Sequence, residues 1–118
     1  MPLPLHTRAV LVNGTEIFTD SEGYLKNPAD WSPDFARVKA AEEGLVLTDA
    51  HWQILHYLRA YYEQHQVQAQ VRVMIPHFSA LWGSAQGGNH ALHELFPIGG
   101  PQKQGNRLAG LLRTKGEH

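Results

Sequence analysis

Thr48–Gln64, TDAHWQILHYLRAYYEQ, constrains the fold of this chain more than any other stretch. Apolar and aromatic side chains recur at Trp52, Leu55, Leu58 and Tyr62, and Ile54 and Tyr61 widen the stripe. Steps of three and four place these residues on one face of a helix. Thr48 is suited to cap the first turn through its hydroxyl, and Asp49 favours the positive end of the helix dipole. A continuous, buried helix over 48–64 is expected, with Trp52 as the core hub. On that expectation Trp52→Ala costs about 3–5 kcal/mol.

The rest of the chain reads as short elements arranged around this helix. Residues 8–19, RAVLVNGTEIFT, form a β-hairpin pattern in which Asn13-Gly14 supplies the positive-φ turn. Asp20–Gly23 is a second turn, after which Tyr24-Leu25 returns toward the ribbon. Asn27-Pro28 and Ser32-Pro33 are cap-plus-proline helix starts. They predict a short turn at 28–31 and a helix at 33–43, stopped by Gly44, with Phe35, Val38 and Ala41 facing inward. Residues 69–82 carry helical spacing at Val71, Met74, Ile75, Phe78 and Trp82. Pro76 lies within that stretch and predicts a kink or a start nearer Ile75. Asn89 is expected to cap a short helix over 90–96, and Gly99-Gly100-Pro101 opens another that runs to Leu108. The fold class is mainly α with a small N-terminal β-hairpin, a compact helical bundle. Its expected division is a single domain at 1–110 and a flexible C-terminal arm at 111–118.

Composition narrows the chemistry. A 118-residue chain of 13.2 kDa fits one domain. No run of about 18 apolar residues and no signal-like segment is present, so a cytoplasmic protein without a membrane span is expected. The net charge of −1 gives no general push toward nucleic acid or anionic lipid. With no cysteine, disulfides, thiolate metal sites and thiol nucleophiles are absent.

The chain has eight histidines, and they read as surface or capping residues. His51 and His56 fall off one another's face, and His90 and His93, beside Glu94, lack a marked third ligand. No metal and no cofactor is expected. Gly87-Gly88 and Gly99-Gly100 follow helical segments, unlike a phosphate loop, and Ser84 lacks a nucleophile-elbow pattern. Glu42-Glu43 and Asp30/Asp34 read as solvated helix faces. A helix-turn-helix built from 48–64 and 71–82 offers only Arg72 and His77 for DNA, short of a basic footprint. Toward the C-terminus, Lys103, Arg107, Arg113 and Lys115 face only Glu117 and the terminal carboxylate. This basic cluster is suited either to an acidic partner or simply to solvation.

Three blocks of the chain resemble the DsrC/TusE family, which comprises the gamma subunit of dissimilatory sulfite reductase and its sulfur-relay relatives. The first is Gly23-Tyr24-Leu25 with Asp30-Trp31. The second runs from Leu47-Thr48 through His51-Trp52 to Leu58-Arg59 and Tyr61-Tyr62. The third runs from Glu94-Leu95-Phe96-Pro97 through Gly100-Pro101, Lys103-Gln104 and Arg107 to Ala109-Gly110. The resemblance implies a helical domain with an N-terminal hairpin and a C-terminal arm that carries sulfur on one or two cysteines. Here the two cysteine positions are held by Asn106 and Glu117. A carboxylate or an amide cannot carry a sulfane sulfur, which requires a thiolate.

The resemblance therefore implies a non-catalytic member, not an enzyme, that binds or regulates a protein partner in a sulfur-transfer or sulfite-reductase system. Partner contact is expected through Lys103, Arg107, Arg113, Lys115 and Glu117, from a monomer. Two alternatives are a sulfur carrier of tRNA 2-thiolation or sulfur oxidation, and a helix-turn-helix regulator.

Overall fold

A computed structural model describes residues 6–112. Strands β1 (Thr7–Val12) and β2 (Thr15–Asp20) pair antiparallel, with Val12 opposite Thr15 and Thr7 opposite Asp20. Asn13 and Gly14 both take positive φ, +51° and +83°, as a two-residue primed turn demands. The expected return of the chain occurs: Leu25 bridges to Thr19, and Lys26 N–H donates to the Phe18 carbonyl.

A 3₁₀ turn, Pro28–Asp30, is capped by the Asn27 side chain. Helix α1 (Pro33–Glu42) is capped by Ser32, whose hydroxyl accepts from Phe35 N–H. Val10, Val12, Leu25 and Phe35 close a small core between the ribbon and α1. Ala41, expected to face inward, is exposed, and the buried positions at this end of α1 are Lys39 and Ala40.

Helix α2 (Asp49–His65) is continuous, and its fully buried line is Ile54, Leu55 and Leu58. Trp52 corrects the expected hub. It is only half-buried, with the Arg37 guanidinium 5.0 Å above its ring and His56 stacked 6.0 Å away. Its place in the core is taken by His51, one residue earlier. Thr48 N–H donates to His51 Nδ1 at 3.0 Å, and the Thr48 hydroxyl lies 2.8 Å from the same nitrogen. The remaining proton sits on Nε2, which donates to the Leu95 carbonyl at 2.6 Å. The start of α2 is thus closed by a histidine where Glu or Gln usually reaches back.

Helix α3 (Val71–Trp82) starts at Val71, not near Ile75. Met74 and Phe78 face inward, whereas Pro76 and Arg72 are exposed, so the backbone acceptor that Pro76 leaves free is on the solvent side. A single turn, α4 (Ser84–Gly87), leads to α5 (Asn89–Leu95). Asn89 is the first residue of α5, not its cap; Gly88 holds the cap position. Helix α6 (Gly100–Leu108) then enters the core almost whole, with Gln104, Asn106 and Leu108 inaccessible to solvent.

The principal core joins α2, α3, α5 and α6, and it includes Leu111 at 5% exposure. Leu111 N–H donates to the Asn106 carbonyl, and Gln68 Nε2 donates to the Leu112 carbonyl at 2.7 Å. In the described part of the 111–118 arm, Leu111 is therefore packed and bonded, and Leu112 is exposed but bonded through its carbonyl. Its remaining residues lie outside the described region.

Candidate functional site at the seat of the C-terminal turn

The three sequence blocks that lie far apart along the chain meet around α6 and the turn after it. Trp31 donates its indole N–H to the Leu108 carbonyl at 2.8 Å. Arg59 lies over the Trp31 ring, 3.9 Å from its centroid, and donates through Nη1 to the Ala109 carbonyl at 2.8 Å. Burial lowers the pKa of the Arg59 guanidinium, with Glu63 opposing the shift. Gly110, at φ +76°, completes the arrangement: a Cβ there would run into the Trp31 ring. Two carbonyls at the end of α6 are thus taken by side chains from the 28–31 turn and α2, which fixes where the chain leaves the core.

The opposite side of α6 is held by one carboxylate. Glu43 accepts two hydrogen bonds from Arg107, Nε at 2.9 Å and Nη2 at 2.7 Å, and a third from Gln104 Nε2 at 2.8 Å. Gln104 Oε1 accepts from Ile98 N–H, and Arg107 Nη2 donates to the Ile98 carbonyl, so the loop before α6 is bound as well. Burial by itself would lower the Arg107 pKa. The Glu43 hydrogen bonds and charge outweigh it, with Tyr24 adding to them, and hold the guanidinium above its ordinary value.

Glu43 therefore corrects the expectation of a solvated carboxylate, since its side chain is only 12% exposed. A sequence signal for this existed: Gln104 and Arg107 are three apart, on one face of a helix, and need an acceptor.

Asn106 is the unusual member of this cluster. Its side chain is fully buried, and neither Oδ1 nor Nδ2 has a hydrogen-bond partner among the described residues. A buried, unpaired amide costs about 1–3 kcal/mol, so packing does not explain the choice of residue.

Among the candidate partner-binding residues, the structure brings Lys103 and Arg107 to one cleft with Glu43. Arg107 is buried and committed to Glu43; Lys103 is half-exposed, its stem against Gly99. Arg113, Lys115 and Glu117 lie outside the described residues. His90 Nε2 pairs with Glu94 at 2.6 Å, while His93 Nδ1 meets the Asn89 carbonyl. No group of three metal-ligand side chains occurs among the described residues. None of the described helices is long and apolar enough to cross a membrane. His77, a candidate DNA contact, has its ring centroid 4.4 Å from that of Tyr57, the two rings tilted by 31°.

Residues 11–116 match the family described as DsrC like protein. Sulfurtransferase TusE of Sodalis glossinidius is 42% identical over 99 residues, covering 84% of this chain and 91% of that protein. The Sulfurtransferase TusE homolog of Haemophilus influenzae is 37% identical over 100 residues, 85% of this chain and 91% of its own length. Among solved structures, Allochromatium vinosum DsrC superposes with a TM-score of 0.82 at 40% identity, covering 93% of this chain and 97% of that one. The oxidized gamma-subunit of dissimilatory sulfite reductase from Archaeoglobus fulgidus gives 0.83 at 28% identity, covering 92% and 98%. With its hairpin, its helical core and its three converging blocks, this chain belongs to the DsrC/TusE sulfur-relay family.

Proposed function

We propose that this chain is a recognition component of a sulfur-relay or sulfite-reductase system that does not itself carry sulfur. The observation that carries the proposal is chemical: the 118 residues include no cysteine. The residues at the two expected sulfur positions are Asn106 and Glu117. Persulfide transfer needs a thiolate to attack and to leave, and neither an amide nor a carboxylate does either. Asn106 is, in addition, enclosed, so no acceptor reaches it without unfolding α6.

What such a chain retains is a family surface. Lys103, Arg113 and Lys115 steer an acidic partner, Glu117 adds a negative charge where a carrier presents sulfur, and Arg107 shapes the surface by holding Glu43. The protein acts as a monomer in this role. Charges of this kind contribute association rate and selectivity more than affinity.

Two measurements test the proposal. Incubation with a cysteine desulfurase or with polysulfide is expected to leave the intact mass unchanged. A stable gain of about 32 Da, one sulfur atom, would instead support the carrier activity for which the relatives are named. A chain lacking residues 113–118, compared with the whole chain in affinity capture and calorimetry, is expected to bind the captured partner more weakly, with the difference shrinking at high salt. Equal affinity at both salt levels would move the recognition surface onto the helical body.

A further inference from the structure

A cleft of 440 Å³ opens between the ribbon, the C-terminal end of α1 and the start of α6. Four cations line it, Arg8, Lys39, Lys103 and Arg107, against three carboxylates, Glu22, Glu42 and Glu43. Two of the cations are satisfied to different degrees. Arg107 is spent on Glu43 and on the Ile98 carbonyl. Lys39, with a side chain only 7% exposed, makes one polar contact among the described residues, 3.0 Å to Glu42 Oε1, and there uses one of its three N–H donors. Neither the Lys103 side chain nor Arg8 has an ion-pair or hydrogen-bond partner among the described residues.

Two glycines make the cleft possible. A Cβ on Gly23 would stand 2.6 Å from Lys39 Cε and 2.9 Å from its Nζ, and one on Gly99 would stand 3.1 Å from Lys103 Cβ. Both glycines have positive φ, +96° and +103°. The backbone is thus bent and stripped of side chain at the two places where a lysine passes. A buried ammonium with unused donors is costly to hold open unless an acceptor arrives. Three carboxylates on the same walls disfavour a long polyanion and leave room for one compact charge.

We infer that this cleft is a binding site for a small divalent oxyanion of sulfate-like shape, held by the unused donors of Lys39 and Lys103, with Arg8 at the rim. The site shares Lys103 with the surface proposed to steer the partner, but its test needs no partner, since the chain alone should bind the anion. In a titration of the full chain with sodium sulfate, followed by amide chemical shifts against sodium chloride of equal ionic strength, saturable shifts are expected at Gly23, Gly99 and Lys103. Lys103→Gln should weaken binding about tenfold, as loss of a charge-assisted hydrogen bond does. Glu42→Gln, which frees Lys39 and removes a competing charge, should tighten it about threefold. Glu94→Gln, whose carboxylate lines a different groove, should change nothing. Both key positions are at least partly exposed, so folding is not at issue. Shifts that rise linearly with sulfate, that chloride reproduces, or that survive Lys103→Gln would overturn the assignment. So would an acidic peptide that fills the cleft where sulfate does not.

Discussion

Asn106 carries the sharpest single-residue consequence. Replacing it with leucine keeps a side chain of similar size and removes two orphaned polar atoms. Asn106→Leu is therefore expected to raise stability by about 1–3 kcal/mol, read as a higher urea midpoint at an unchanged slope. Asp34 offers a second test, in pH. Its carboxyl pKa is held below the ordinary value, first by the Asn13 amide (Nδ2 to Oδ2, 2.7 Å) and then by Arg37 at 2.6 Å. A depressed carboxylate adds stability that is complete above its unfolded pKa of about 3.9 and is lost as pH falls through the folded value. Asn13→Ala should move the Asp34 titration upward, toward that unfolded value, in carboxyl NMR. No movement would mean that the turn and α1 are not coupled through this bond. None of this was legible in the sequence, because Asn13 and Asp34 are distant along the chain, and whether a buried amide is paired depends on what surrounds it.

At the scale of elements, α2 shows what periodicity gives and what it withholds. The spacing predicted a continuous helix, and the helix is continuous. The largest ring in the pattern, Trp52, sits at the edge of the buried arc, whereas Leu58 sits at its centre. Hydrophobic size does not fix the rotation of a helix; the neighbours it meets do. Leu58→Ala is accordingly expected to cost about 2–5 kcal/mol, and Trp52→Ala only about 1–2 kcal/mol, by chemical denaturation. Comparable losses would mean that the arc is centred elsewhere. Similarly, the Glu42-Glu43 pair looked uniform in sequence but divides in space: Glu42 is exposed, and Glu43 turns in to meet α6. Glu43→Gln removes the charge that balances a buried guanidinium and should cost about 3–5 kcal/mol. The double variant Glu43→Gln with Arg107→Met should recover part of that loss, because no buried charge is then left unpaired.

For the molecule as a whole, the family resemblance in three blocks is visible in the sequence itself, and the fold class follows from it and from the hairpin turn. Where the domain stops was not visible. LLRTKGEH reads as polar and unanchored after Gly110, yet Leu111 is core and Leu112 is bonded to Gln68. Two leucines carry too little pattern to be told from a tail; only the core that Leu111 enters distinguishes them. Removing 111–118 is consequently expected to lower stability by about 1.5–3 kcal/mol, the burial of one leucine, measured by thermal melting, and not to be neutral. The Trp31–Arg59 seat fixes where the chain leaves the core at one end of α2: Leu111 lies with Tyr62 and Gln66 at the C-terminal end of that helix, and the groove lined by Ala50, Gln53 and Leu95 lies at its other end. The sixteen steps from Ala50 to Gln66 extend about 24 Å. Two ligands seated at the two ends of α2 would stand that far apart, and neither would block the other.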